Sequence, residues 1–117
     1  MHSKSFNLKI KKKISPFKKN IKIDSDKSIS IRSFLISSIS QNISFIKNAL
    51  ESDDVFSTIQ CLRKLGVKIT KKSKGNYLVY GNGLGSLHSK KNLELNFGNS
   101  GTLARLLIGI LATTPNI

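Results

Sequence analysis

The stretch Asp26-Lys27-Ser28-Ile29-Ser30-Ile31-Arg32 (residues 26–32) places an ammonium, a hydroxyl and a guanidinium where a helix begins. Alternation over Ile21-Lys22-Ile23-Asp24 predicts a short strand before it, and apolar residues at helical spacing after Ser28 predict a helix over 28–40. Ser28 and Arg32 lie four residues apart and so share one face of that helix. With the free backbone N–H groups of the first turn, these side chains would surround one anion. The spacing is equally consistent with Ser28 simply capping the helix while Lys27 and Arg32 face solvent.

A second stretch, Gly98-Asn99-Ser100-Gly101-Thr102-Leu103-Ala104-Arg105, also opens a helix. The alternating residues 93–97 predict a strand before it, and the almost wholly apolar residues 100–113 predict a helix buried on nearly all sides. Gly101 would let an oxyanion approach the backbone with no Cβ in the way. The alternative is a capped core helix that uses glycine for packing.

The residues between the two stretches predict a strand, a helix and a hairpin. A strand fits residues 43–50, and Ser52-Asp53-Asp54 starts a helix with a cap-type side chain and two carboxylates at its positive end. Gly66 ends that helix, and strands over 67–71 and 77–80 are joined at Lys74-Gly75-Asn76. The order is one β-α-β-α-β-β unit followed by the start of a second, which indicates the α/β (α+β) class.

Composition limits the possible functions. The 117 residues suffice for one domain, and the net charge of +14 raises nucleic acid as a partner. Lys, Ile and Asn are also residues that AT-rich codons encode, so surface drift is an equally good explanation of the charge. A small basic nucleic-acid-binding protein would need aromatic residues among its basic ones, and the 6 Phe and 2 Tyr fall mostly at core-like positions. Residues 1–20 are basic and predict an irregular arm or edge strand.

Metal, redox and membrane roles are not expected. The single cysteine, Cys61, excludes an internal disulfide and fits a small core residue in a reducing cytoplasm. His2 and His88 are too isolated to form a metal site with it. No apolar run approaches the ~20 residues of a membrane span, and the N-terminal lysines lack the apolar segment of a secretory signal. The sequence therefore predicts a cytoplasmic protein without a metal.

Five blocks, in order, resemble the 5-enolpyruvylshikimate-3-phosphate synthases (3-phosphoshikimate 1-carboxyvinyltransferases). They are residues 26–32, Leu50-Glu51-Ser52-Asp53-Asp54-Val55, Leu65-Gly66-Val67, Gly81-Asn82-Gly83 and Gly98-Asn99-Ser100-Gly101-Thr102. The resemblance runs from about residue 21 to 112 and covers a minor, N-terminal part of the family's usual length. The chain also stops at Ile117 just after a helix, so we expect residues 21–117 to be a truncated N-terminal part of such an enzyme.

The resemblance implies the enolpyruvyl transferase fold, in which two domains of repeated β-α-β-α-β-β units enclose the active site. It also implies the reaction. The 5-hydroxyl of shikimate 3-phosphate attacks C2 of phosphoenolpyruvate while C3 is protonated, and the adduct then eliminates phosphate. Neither a metal nor an organic cofactor takes part, and a full-length member is expected to be a monomer that binds only these small molecules, not nucleic acid or membrane.

The resemblance also assigns residues. Lys27 matches the catalytic lysine that touches both substrates, while Ser28 and Arg32 match the pair that holds shikimate 3-phosphate, chiefly at its carboxylate. The loop that receives phosphoenolpyruvate matches Asn99 and Gly101, with Thr102 beside it. Arg105 matches an arginine interpreted as structural support.

The chain departs from the family pattern in three respects. Asp24-Ser25 stands where the family usually has Pro-Gly, and Ile31 where many members carry His or Asn. The proton-transferring carboxylates and further Arg and Lys lie beyond residue 117 in the family, so this chain alone is expected to be inactive. The related UDP-N-acetylglucosamine enolpyruvyl transferases share the fold but not the Lys-Ser-x-Ser-x-Arg pattern, and they remain the nearest alternative.

Overall fold

The computed structural model describes residues 5–89 and 92–114. Six elements follow one another along this part of the chain: α1 (Lys27–Ile39), β1 (Gln41–Ile46), α2 (Asp53–Lys64), β2 (Lys68–Ser73), β3 (Asn76–Asn82) and α3 (Gly101–Leu111). The predicted α1, α2 and hairpin are confirmed to within a few residues, whereas β1 was placed too late along the chain. The mixed α/β class is confirmed.

The three strands form an antiparallel sheet in the order β1-β3-β2. Helix α1 packs against β3, and α2 lies beside α1 and β2. Alternate side chains of β3, including Tyr77 and Val79, are buried, so the helices cover one face of the sheet. The Phe34 ring of α1 meets Tyr77 edge to face, with 5.2 Å between the ring centroids. Such an arrangement suits the opposite charges of a ring's edge and face. The core therefore lies between one sheet face and the helices.

Two glycines are required by this packing. A Cβ on Gly81 of β3 would collide with the backbone carbonyl oxygens of Ser37 and Ser40 at the end of α1, so only glycine allows the helix to approach. Gly66 ends α2 with a φ of +91°, a left-handed conformation that glycine adopts without a Cβ clash. Val67 then donates back to the carbonyl of Leu62 at 3.0 Å, which closes the helix end.

The hairpin is tied to the loop before α2 through Glu51. Its Oε1 accepts from the backbone N–H of Gly75 at 3.0 Å, from the Tyr77 hydroxyl at 2.8 Å and from Lys71 Nζ at 2.6 Å. The Lys71 ammonium, followed by the Gly75 amide and the Tyr77 hydroxyl, lowers the pKa of Glu51 to about 2. Burial, together with this carboxylate, raises the pKa of Tyr77 to about 12.

The two predicted strands over 21–24 and 93–97 are wrong. Residues 5–26 form neither helix nor strand. Ile21 and Ile23 are 72% and 78% exposed, so the alternating pattern buries no apolar side chain there. In the second segment the alternation is real, since Leu93, Leu95 and Phe97 pack against the core while their neighbours are exposed. No strand among the described residues pairs with that backbone, so the alternation does not produce a ladder.

The prediction that α3 is buried on nearly all sides is also wrong. Only Leu103 and Leu107 are buried, and Ile108 is 59% exposed. One face of the helix packs on the core, and the rest of its apolar surface is uncovered among the described residues. The aromatic residues also do not fall mostly in the core, as was predicted. Four of the six phenylalanines are exposed: Phe6, Phe17, Phe45 and Phe56.

None of the helices in the described ranges is both long and apolar enough to cross a bilayer.

Candidate functional site

An ion pair joins the first turns of α1 and α2. Lys27 is the first residue of α1, and its Nζ lies 2.8 Å from Oδ2 of Asp54, the second residue of α2. The hydrogen bond to Asp54, reinforced by the attraction of that charge, raises the pKa of Lys27 above its ordinary value of 10.5. Lys27 is therefore a permanent cation at neutral pH, held between two helix N-termini.

The segment before α3 runs along α2 toward the same end. Lys64 Nζ donates to the carbonyl of Glu94 at 3.2 Å near the end of α2, and Cys61 Sγ donates to the carbonyl of Asn96 at 3.3 Å. Gly98 lies beside Ser57, because a Cβ built there would sit 2.9 Å from the Ser57 hydroxyl oxygen. The chain thus reaches the first turns of α2 just before α3 begins.

Helices α1 and α3 are neighbours. Arg32, Leu35 and Ile36 of α1 line one groove with Leu106 and Ile110 of α3. Because Gly98 lies beside Ser57 in the second turn of α2, α3 begins near the end of α2 that Lys27 contacts through Asp54. Helix N-termini carry unpaired N–H groups and a partial positive charge, so their convergence favours an anion.

The first predicted binding segment is not a simple cap. Asp26, not Ser28, caps α1, since its Oδ1 accepts from the N–H of Ile29 at 2.7 Å. The capping alternative for Ser28 is therefore wrong, and Ser28 lies half-buried one turn before the exposed Arg32 on the flank nearer α3. Among the described residues, neither side chain makes a hydrogen bond that would occupy it.

Ser30, which belongs to the same segment, joins α1 to the loop before α2. Its hydroxyl donates to the carbonyl of Asp26 at 2.7 Å and accepts from the N–H of Leu50 at 2.9 Å. This bridge fixes the loop before α2 against the start of α1. The segment therefore divides into residues that hold the fold, Asp26 and Ser30, and residues whose side chains make no hydrogen bond within the described part of the chain, Ser28 and Arg32.

The second predicted segment is capped, but its glycine has no packing role. Ser100 Oγ accepts from the N–H of Leu103 at 3.1 Å, which confirms a capped helix. Gly101 is exposed, and a Cβ at this position would meet nothing within 4 Å. Asn99 is exposed and Thr102 half-buried beside it. Packing alone therefore does not require glycine at 101, whereas the close approach of a ligand to the backbone would.

Carboxylates limit how strongly the described residues alone can attract an anion. Lys27 and Arg32 supply two positive charges at this end, and Asp26, Asp53 and Asp54 supply three negative ones. Asp26 is engaged by the α1 backbone and Asp54 by Lys27, which leaves the exposed Asp53. A high affinity for a doubly charged substrate would require further cations.

The remaining candidates lie elsewhere or are engaged otherwise. Cys61 is buried, and burial raises the pKa of its thiol, so it is a core residue and not a nucleophile. The His88 ring covers Gly66, and the described ranges hold no cluster of three or more potential metal ligands. Arg105 is exposed and makes no hydrogen bond within the described part of the chain, so its supporting role stays a prediction.

The sequence did not reveal the contacts that assemble the site. Asp54 was interpreted only as a favourable charge at a helix start, and its partner Lys27 lies 27 residues earlier. The approach of Gly98 to Ser57 likewise joins residues with no local spacing signal. A glycine before the Asn99 loop was the one available sign that something approaches closely there.

Comparison with known proteins agrees with the geometry. The family model of EPSP synthase (3-phosphoshikimate 1-carboxyvinyltransferase) matches residues 11–117, which is most of the chain. This chain belongs to the EPSP synthase family. It is 38% identical over 106 residues to the 3-phosphoshikimate 1-carboxyvinyltransferase of Zymomonas mobilis, and 47% identical over 93 residues to that of Vesicomyosocius okutanii.

Solved structures show the same fold. The EPSP synthase from Acinetobacter baumannii matches with a TM-score of 0.72 and 33% sequence identity over 80% of this chain. The chain covers 21% of that structure and 23% of the Zymomonas mobilis relative, so it spans less than a quarter of either. The enolpyruvyl transferase fold is therefore shared over the part of the family that this chain represents.

Proposed function

We propose that this chain supplies the part of an EPSP synthase active site that contains the catalytic lysine. The whole enzyme would transfer the enolpyruvyl group of phosphoenolpyruvate to the 5-hydroxyl of shikimate 3-phosphate and release phosphate, a step of aromatic amino-acid biosynthesis. The observation that carries the proposal is that the starts of α1 and α2 meet at the Lys27–Asp54 ion pair, while the segment leading into α3 passes beside Ser57 of α2. Such an arrangement suits two phosphorylated, carboxylated substrates.

Each predicted residue has a role that its position supports. Lys27 would contact both substrates and stabilise the charge that moves between them. Ser28 and Arg32, on one flank of α1, would hold shikimate 3-phosphate, with the guanidinium forking onto its carboxylate. Asn99, Gly101 and Thr102 would receive phosphoenolpyruvate at the start of α3.

The described residues do not offer a complete reaction centre. The Asp54 carboxylate is occupied by Lys27, and the cations here are outnumbered by carboxylates. We therefore propose that proton transfer and the remaining phosphate contacts come from other parts of a whole enzyme. That enzyme would be a cytoplasmic monomer acting on small molecules without a metal or an organic cofactor.

The test joins residues 1–117 to the remaining three quarters of the Acinetobacter baumannii enzyme and measures phosphate release with each substrate varied. Arg32→Lys keeps the charge but removes the fork, so the Michaelis constant for shikimate 3-phosphate should rise about tenfold. Lys27→Ala should lower kcat by about a hundredfold or more, because it removes a charge that faces the reacting atoms.

Two controls accompany this measurement. The 117-residue chain alone should release no phosphate above background, and Lys72→Ala, at an exposed position of β2, should leave the hybrid unaffected. If Arg32→Lys and Lys27→Ala both leave kcat and the two Michaelis constants unchanged, the assignment of this site is wrong.

A further inference from the structure

The Lys27–Asp54 ion pair is asymmetric. The Lys27 side chain is 51% exposed, whereas the Asp54 side chain is 16% exposed and belongs to a firmly held turn. The Asp54 carbonyl accepts from the hydroxyl of Thr58 at 2.9 Å, and Thr58 is fully buried. The carboxylate is therefore the fixed partner, and the ammonium is the partner that could otherwise move.

The geometry of an ammonium makes this contact useful. A lysine Nζ has three N–H donors on a flexible stem with large rotamer freedom. One donor points to Asp54 at 2.8 Å, which leaves two for other acceptors on the exposed side of Lys27. Two is the number that a lysine in contact with two anionic substrates would need.

The next turn of α2 faces the other predicted binding segment. Ser57, one turn after Asp54, lies against Gly98 just before the Asn99–Thr102 loop. Helix α2 thus sets the distance between the ammonium on α1 and the loop before α3. A fixed anchor on α2 would hold Lys27 in register with that loop.

We propose that Asp54 is a positioning residue, which holds the Lys27 ammonium by one donor and presents the other two to the two substrates. This inference rests on the function proposed above. Asp54 itself touches no substrate and transfers no proton in this proposal. Its contribution is preorganisation, because an ammonium already oriented loses less freedom when the substrates bind.

A purely electrostatic role and a positioning role of Asp54 predict opposite changes in substrate affinity when the carboxylate is removed. If Asp54 acted only through its charge, Asp54→Asn would remove repulsion and strengthen the binding of anionic substrates. If it positions Lys27, the same substitution weakens binding despite the lost negative charge. Asp53→Asn is a matched control, because Asp53 is the adjacent residue in the same first turn, is exposed, and contributes the same charge to the helix end.

The first measurement is the reactivity of Lys27 in the 117-residue chain, by acylation at limiting reagent and mass spectrometry of the Lys27 peptide. Asp54→Asn should increase the rate at Lys27 about two- to fivefold, the range expected for losing an exposed ion pair. Asp53→Asn and the reactivity of Lys68 should not change. An unchanged Lys27 rate in Asp54→Asn would overturn the proposal.

The second measurement is steady-state kinetics in the hybrid enzyme. Asp54→Asn should lower kcat/KM for phosphoenolpyruvate about tenfold, and Asp54→Glu, which restores the charge one methylene further out, should recover part of the loss. A purely structural defect would reduce the active fraction and leave both Michaelis constants unchanged, and that result or tighter substrate binding would overturn the proposal. Absence of turnover in the unsubstituted hybrid would count against the proposed function. The acylation experiment would still test whether Asp54 holds the Lys27 ammonium.

Discussion

Gly101 offers the sharpest separation between a binding role and a packing role. Its position at the start of α3 is open, with nothing within 4 Å of an added Cβ, so Gly101→Ala should not strain the fold. Replacing glycine by alanine inside a helix gains about 0.5–1 kcal/mol, and the first helical position should gain part of that. The substituted chain should therefore be at least as stable as the original.

The added methyl would occupy the space through which a phosphate or carboxylate reaches the N–H groups of the first turn. Losing one charge-assisted hydrogen bond costs about 1.5–3 kcal/mol. Because every 1.4 kcal/mol is a factor of ten, the Michaelis constant for phosphoenolpyruvate should rise about ten- to a hundredfold. The constant for shikimate 3-phosphate, for which Ser28 and Arg32 on α1 are the proposed contacts, should change little.

The assay compares Gly101→Ala with two other glycine substitutions, by thermal unfolding of the chain and steady-state kinetics of the hybrid. Gly109→Ala lies in the same helix, also in open space, and should stabilise the chain by about 1 kcal/mol without affecting either substrate. Gly81→Ala should destabilise the fold, since its Cβ meets two backbone oxygens of α1. If Gly101→Ala behaves like Gly109→Ala in the kinetics, Gly101 receives no substrate and the reasoning fails.

Three further predictions concern stability and charge. The pKa of Glu51 is lowered from 4.5 to about 2 in the folded chain, so its ionised carboxylate should stabilise the fold above pH 4.5 and lose this effect as pH falls toward 2. In thermal melts, Glu51→Gln should not show this pH-dependent drop in melting temperature. Ser100→Ala should cost about 1 kcal/mol in denaturant titrations because Ser100 caps α3, whereas Ser52→Ala should change stability by under about 0.5 kcal/mol, since that N-cap serine makes no side-chain cap bond. Equal effects would contradict the cap assignment. Binding of the chain to duplex DNA, followed by fluorescence anisotropy, should be weak, indifferent to sequence and lost steeply as salt rises; a specific site that survives physiological salt would contradict surface drift as the origin of the lysines.

Local signals in the sequence were sufficient for most elements. Helix α2 has two acidic residues in its first turn and a glycine just past its end, and each signal depends only on the chain nearby. Ser52 does occupy the predicted N-cap position, but its side chain makes no cap hydrogen bond. The hairpin likewise follows from alternation on both sides of Lys74-Gly75. These features were predictable because the physics that produces them acts within a few residues.

The errors have a common physical origin. Alternation at 93–97 and the apolar character of α3 indicate which side chains prefer to be buried. A strand, however, also needs a neighbouring strand to pair with, and an apolar helix face is buried only if another element packs on it. Neither requirement is encoded in the segment itself. The N-cap of α1 illustrates a finer limit, since Asp26 and Ser28 are both good cap residues, and only the backbone conformation of Asp26 decides between them.

The site depends most on a helix that carries none of the predicted substrate contacts. Every residue assigned to a substrate lies on α1 or at the start of α3, and each segment alone was equally consistent with a capped helix. Helix α2 favours the binding interpretation over simple capping, because its first two turns contact both segments. Asp54 pairs with Lys27, and Ser57 lies against Gly98 just before α3. Two helix starts that share one rigid neighbour have a fixed separation, which is what the proposed reaction between two bound anions would require. Asp54→Asn should therefore alter the kinetics of both substrates, although Asp54 is proposed to touch neither.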